Sequence, residues 1–206
     1  MKVLDLFSGI GGFSLGLERA GMETVAFCEI DPFCQKVLRK HWPSVPIYED
    51  IEGLTNERIE ADGIGGIDVI SAGFPCQDIS RAGKQAGLHG ARSGLWKHIT
   101  RLAGEIKPEV IILENSSDVL VSGWFGDLLT GLDSIRYDCQ WFCIPATAVG
   151  ALHRRNRFFA VAYPASHDDR PCIQIKIERQ IQELRKGRSR GWGFWANQPS
   201  MARVAN

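Results

Sequence analysis

Short apolar runs alternate with helix-like segments along the first four-fifths of this chain, and that alternation constrains the fold most. Residues 2–7, 24–29, 46–48, 67–72 and 109–113 read as strands. Residues 13–20, 32–40, 95–106 and 125–134 between them read as helices. Gly21 sits where a helix ends and Pro32 where one begins. Strands alternating with helices predict an α/β fold, a mainly parallel sheet with helices on both faces. Residues 139–144 and 157–162 alternate like a closing pair of strands, and the polar, glycine-rich stretch 78–91 reads as a mobile loop. In such sheets ligands bind beyond the carboxyl ends of the strands. The residues that follow the strands are therefore the ones to read for chemistry.

Composition excludes several classes. Of 206 residues, 44% are hydrophobic and 23% charged, the balance of a folded globular chain. No apolar stretch approaches the roughly 20 residues that span a bilayer. The first residues lack the apolar core of a signal peptide, so the expected compartment is the cytoplasm. Six cysteines are present without a Cys-x-x-Cys pair, so no metal site is expected and most should behave as small hydrophobes. The net charge is zero but segregated. From residue 170 on there are eight Lys/Arg against two Asp/Glu. A tail of that charge can follow a phosphate backbone or simply face solvent.

Three groups of residues stand at strand ends. Asp5-Leu6-Phe7-Ser8-Gly9-Ile10-Gly11-Gly12 joins a strand to a helix, so its backbone N–H groups can approach a ligand closely. Its glycines do not follow G-x-G-x-x-G, since Ser14 holds the third position. That disfavours a nicotinamide oxidoreductase. Glu29 ends the second strand, where a carboxylate can accept from both ribose hydroxyls. Asp50 follows the third and could accept from an adenine amine. Together they suggest an adenosine cofactor, although a plain structural turn would look similar. The second group is Gly73-Phe74-Pro75-Cys76-Gln77, which places a cysteine at the ligand edge; by itself it also fits an inert buried thiol. The third is Glu114-Asn115 with Arg155 and Arg157. Spacing by two puts both arginines on one strand face, able to pair with Glu114 or to hold a phosphate or pyrimidine carbonyl. A structural ion pair is the plainer alternative.

In this order, these segments resemble the DNA (cytosine-5)-methyltransferases, as does Arg92-Ser93-Gly94-Leu95-Trp96. The resemblance covers residues 1–163. It implies a class I S-adenosylmethionine-dependent methyltransferase domain of Rossmann-like form, with 164–206 as a short or incomplete target-recognition region. It implies S-adenosylmethionine over Phe7, Gly9 and Gly11, with Glu29 on the ribose, Asp50 near the adenine, and Ile30, Ile51 and Pro75 around it. The substrate implied is double-stranded DNA with a flipped cytosine. Cys76 would add to carbon 6, Glu114 would contact ring nitrogen 3, and Arg155 and Arg157 would hold the base. Ser80, Gly83 and Gln85 would close over the DNA. Ser116 replaces the family's usual Val, and His153 its usual Gln. Family members normally end in a closing segment containing Gly-Asn, which these 206 residues are not seen to contain. The expectation is a DNA-methylating, restriction-modification type of enzyme. The alternative is an inactive remnant, or one part of a split enzyme completed by a second polypeptide, that binds DNA or cofactor only.

Overall fold

A computed structural model describes residues 1–75, 94–121 and 124–165. Cys76, the stretch 78–91 and the basic residues from 170 on lie outside the described residues.

Seven strands form one sheet. β1 (Lys2–Leu6), β2 (Glu23–Cys28), β3 (Ile47–Tyr48), β4 (Val69–Ala72) and β5 (Val110–Ser116) run parallel. β6 (Tyr137–Pro145) and β7 (Asn156–Pro164) close the sheet in antiparallel fashion. The order is β3-β2-β1-β4-β5-β7-β6. Between the strands lie α1 (Gly12–Arg19), α2 (Pro32–His41), α3 (Asn56–Ala61), α4 (Leu95–Ile106) and α5 (Trp124–Ser134). Consecutive residues of β1 and β4 are buried, from Val3 to Leu6 and from Val69 to Ala72. Strands buried on both faces need cover on both faces, which is why they read as unbroken apolar runs.

The chain builds outward from β1 through β2 to β3, then returns to lay β4 on the other side of β1. The crevice beyond the carboxyl ends of β1 and β4 is therefore the topological switch point of the sheet. One buried carboxylate ties this junction together. Asp5 on β1 stands opposite Ser71 on β4 and accepts its hydroxyl at 2.7 Å. The other Asp5 oxygen accepts Ser14 of α1 at 2.7 Å. Burial pushes the Asp5 carboxyl up to about 6, although both serine bonds favour its charged form.

Two expectations need correction. Strand β5 does not stop at Leu113 but runs to Ser116. Its last residues gain an antiparallel partner: Glu114 faces Phe159, Asn115 faces Phe158 and Ser116 faces Arg157. In helix α1 the buried position is Ser14, because the inner face meets the Asp5 carboxylate, while Leu15 is 46% exposed. Arg155 does not share a strand with Arg157. It precedes Asn156, the first residue of β7, and is exposed, its carbonyl accepting the Ala146 N–H at 2.9 Å.

Candidate active site

The turn after β1 carries three left-handed residues in five positions: Phe7 (φ 53°), Gly9 (φ 54°) and Gly11 (φ 87°). A non-glycine residue at positive φ is uncommon, and Phe7 stays there because its neighbours hold it. Ser8 donates its hydroxyl to the Asp5 carbonyl at 2.6 Å, and the Gly11 N–H reaches the Ser8 carbonyl at 2.9 Å. Gly11 cannot be larger, since a Cβ there would lie 2.5 Å from the Trp42 ring. Above Gly9 and Gly12 the space is open, with nothing within 4 Å of an added Cβ.

Glu29, buried just past β2, organises the other side of this turn. One carboxylate oxygen accepts the Gly9 N–H at 2.7 Å and the other accepts the Asp31 N–H at 2.8 Å. An ionised carboxylate has about four acceptor positions, so each oxygen keeps capacity for a further donor. Its carbonyl is held by Gln35 Nε2 at 2.7 Å. Asp31 caps α2 through the Phe33 and Cys34 N–H groups, and Pro32 opens that helix. The exposed Ile30 side chain stands beside this cap. Asp50 is exposed past β3, with one oxygen on the Glu52 N–H at 2.9 Å, while Ile51 is buried.

The second half lies beyond β4 and β5. Phe74 is buried against Trp124, with ring centroids 4.8 Å apart, and against Trp96 at 6.1 Å. Its carbonyl accepts Asn115 Nδ2 at 3.3 Å, so Asn115 holds the turn that leads through the exposed Pro75 to Cys76. Glu114 Oε1 lies 2.8 Å from Arg157 Nε. Glu114 Oε2 faces Gly73, where a Cβ would come within 3.3 Å of it. The β5–β7 register explains the ion pair. Glu114 stands opposite Phe159, and Arg157 is two residues earlier, on the same face and within diagonal reach. Burial pushes the Glu114 carboxyl above its ordinary range, and the Arg155 guanidinium pulls it partly back.

The described thiols are unsuited to nucleophilic work. Burial pushes Cys28 and Cys139 up to about 12 and Cys143 up to about 11. Cys34 is raised as well, by partial burial and by Glu29 and Asp31. Of the four, only Cys28 is fully buried, so the expectation of small core hydrophobes holds for it alone.

The sequence profile of the C-5 cytosine-specific DNA methylases matches residues 1–190. The chain belongs to that family. Type II methyltransferase M.CviJI of Paramecium bursaria Chlorella virus IL3A is 34% identical over 173 residues, covering 84% of this chain and 46% of that protein. Type II methyltransferase M2.BsuMI of Bacillus subtilis is 38% identical over 169 residues, 79% of this chain and 42% of that protein. The chain thus spans less than half the length of these two relatives. Among solved structures, a DNA modification methyltransferase encoded within an Escherichia coli prophage superposes with a TM-score of 0.69 at 29% identity. That match covers 80% of this chain and 47% of the other.

In this chain the structure brings Phe7, Gly9, Gly11 and Glu29 together around one turn, and Glu114 with Arg157 around another. The Asp5–Ser14–Ser71 cluster joining the two strands behind them escaped the sequence reading. Its signal was present: Asp5 is a lone carboxylate in an otherwise apolar strand, where it is costly unless bonded.

Proposed function

We propose that this chain supplies the catalytic residues for methylating carbon 5 of cytosine in DNA, through a transient covalent bond to Cys76. The observation that carries this reading is the Glu114–Arg157 pair beside Gly73, on the strand whose Asn115 anchors the Phe74 carbonyl just before Cys76. A carboxyl group held in register with a cysteine-bearing turn suits acid assistance to nucleophilic addition on a pyrimidine.

The cytosine turns out of the duplex, because its ring face is shielded in the stack. The Cys76 thiolate adds to carbon 6, and the displaced electron pair moves into the ring. Glu114, its carboxyl raised by burial, gives a proton to nitrogen 3 and so accommodates that charge. Arg157 fixes the Glu114 carboxyl, and Arg155 with Arg157 holds the base. Carbon 5 is then nucleophilic and accepts the methyl group. Loss of the carbon 5 proton to solvent, with return of the nitrogen 3 proton to Glu114, restores the 5,6 double bond and expels the thiolate.

S-adenosylmethionine supplies, when bound, an electrophilic methyl group on a sulfonium. The residues fit it: an open glycine turn at the switch point, a buried carboxylate with spare acceptor capacity at Glu29, and an exposed apolar side chain at Ile30. Phe7, Gly9 and Gly11 would hold it, with Glu29 on the ribose, Asp50 and Ile51 at the adenine, and Pro75 near the methyl-bearing end. In this reading residues 1–163 form the catalytic domain, and the basic 164–206 region contacts duplex DNA.

The test is methyl transfer from isotope-labelled S-adenosylmethionine to a random-sequence duplex pool, read as nucleosides by mass spectrometry. Label in 5-methylcytosine, lost in E114Q, is expected. Label on an exocyclic amine, or none from folded chain with or without an added C-terminal segment of a relative, overturns the reading. Label only with the added segment assigns this chain to one part of a split enzyme.

A further inference from the structure

Residues 50–55, between β3 and α3, form no regular element, yet Ile51 and Leu54 are only 4% and 1% exposed. Backbone carbonyls of buried residues need partners. Arg101 Nη2 serves both: it donates to the Ile51 carbonyl at 3.1 Å, which also accepts the Leu54 N–H at 3.4 Å, and to the Leu54 carbonyl at 2.8 Å. The Arg101 fork is itself fixed, because Nη1 pairs with Glu105 Oε1 one helical turn on, at 2.8 Å. The other Glu105 oxygen accepts the N–H of Asn56, the first residue of α3, at 3.0 Å. Arg101 and Glu105 thus fasten α4 to both ends of a segment about fifty residues away in sequence. The same helix carries Trp96 against Phe74. One rigid element therefore touches the segment bearing Asp50 and Ile51 and also the turn leading to Cys76.

We propose that Arg101, locked by Glu105, is a positioning residue for cofactor selection: it holds residues 50–55 in the conformation that presents Asp50 and Ile51 to an adenine. This rests on the reading of Asp50 and Ile51 given above. Arg101 does not touch the cofactor; its guanidinium is committed to two carbonyls and one carboxylate. A lysine keeps the charge but cannot span two carbonyls while also meeting Glu105.

The experiment compares binding of S-adenosylhomocysteine with binding of its purine analogue lacking the 6-amino group. The 206-residue chain is measured beside D50N, R101M, R101K and D50N/R101M. A hydrogen bond to a charged acceptor corresponds to about tenfold or more in affinity, so the unsubstituted chain should prefer the amine-bearing ligand by roughly that factor. D50N should lose the preference, because its one oxygen stays on the Glu52 N–H and an NH2 donor takes the place of the other oxygen. R101M and R101K should lose most of it with Asp50 intact, and the double variant should lose no more than D50N. A structural role alone weakens both ligands equally and leaves their ratio untouched. If both Arg101 variants keep the ratio while D50N loses it, the proposal is overturned and the adenine reading stands. If D50N keeps the ratio, or the unsubstituted chain binds neither ligand, the adenine reading fails and the proposal falls with it. Should R101M not fold, R101K alone decides.

Discussion

Arg157 Nε lies 2.8 Å from Glu114 Oε1, across two neighbouring antiparallel strands. Both side chains remain partly exposed, at 30% and 25%, so the pair contributes at most about 1 kcal/mol to stability. Its consequence is orientation. One carboxylate oxygen is committed to Arg157, and the other is aimed at Gly73, in the turn that leads to Cys76.

The Glu114 titration should respond to Arg155. Burial raises this carboxyl and Arg155 opposes the rise. Removing Arg155 should therefore let Glu114 keep its proton to a higher pH. The carboxyl band of Glu114, identified by infrared difference against E114Q, should titrate at higher pH in R155A than in the unsubstituted chain. A midpoint that stays or moves down contradicts the assignment.

Asp5 should make the fold less stable as pH rises through the range from about 4 to 6. Its folded value of about 6 exceeds the ordinary 3.8, so the folded state binds the proton more tightly than the unfolded state. The difference corresponds to about 3 kcal/mol across that window. D5N keeps a partner for Ser14 and Ser71, because both hydroxyls can rotate to accept or donate. Denaturant midpoints at pH 4, 5, 6 and 7 should show a flatter profile for D5N and a gain at neutral pH. D5A, which strands two buried hydroxyls, should be less stable than D5N. Equal pH slopes for D5N and the parent would refute this account.

Gly11 should tolerate no side chain. G11A places a Cβ 2.5 Å from the Trp42 ring at φ 87°. The left-handed conformation and the overpacking together should cost about 2–4 kcal/mol. Gly16, inside α1 with open space around it, is the control: G16A should gain about 0.5–1 kcal/mol. Urea melts of the two variants decide, and similar midpoints would mean the turn is less constrained than described.

Asn115 should matter for chemistry more than for cofactor binding. It donates to the Phe74 carbonyl at 3.3 Å and accepts the Ser116 N–H at 2.8 Å. N115D keeps the second bond but cannot donate in the first. Methyl transfer should fall roughly 5- to 30-fold in N115D, with S-adenosylhomocysteine affinity within about twofold of the parent, given a loss of about 1–2 kcal/mol for one buried bond. Equal losses in both would make Asn115 a general packing residue.

The β/α alternation was legible because central parallel strands read as unbroken apolar runs, as Val69–Ala72 does. The helix over Leu95–Ile106 was legible from its apolar spacing, with Trp96, Ile99, Leu102 and Ala103 on one buried face. Helix α3 was not, because six residues with only Ile59 buried leave no periodicity to read. The true end of β5 was hidden for a different reason: a strand just over forty residues later extends it, and local sequence does not encode that pairing. Glu114, Arg157 and Glu29 could be named in advance because charged groups at strand ends stand out. Arg101 could not. On its helix it reads as an ordinary surface arginine, and its two carbonyl partners sit 47 and 50 residues away.

Covalent catalysis from Cys76 leaves a bond to DNA that mechanism-based trapping captures. Duplex DNA carrying 5-fluorocytosine has no proton to lose from carbon 5 after methylation, so the cysteine bond persists. A protein–DNA adduct is expected, visible by intact mass, that requires S-adenosylmethionine and disappears in C76A. An adduct that survives C76A, or methylated cytosine formed with no adduct at all, would contradict covalent catalysis from Cys76.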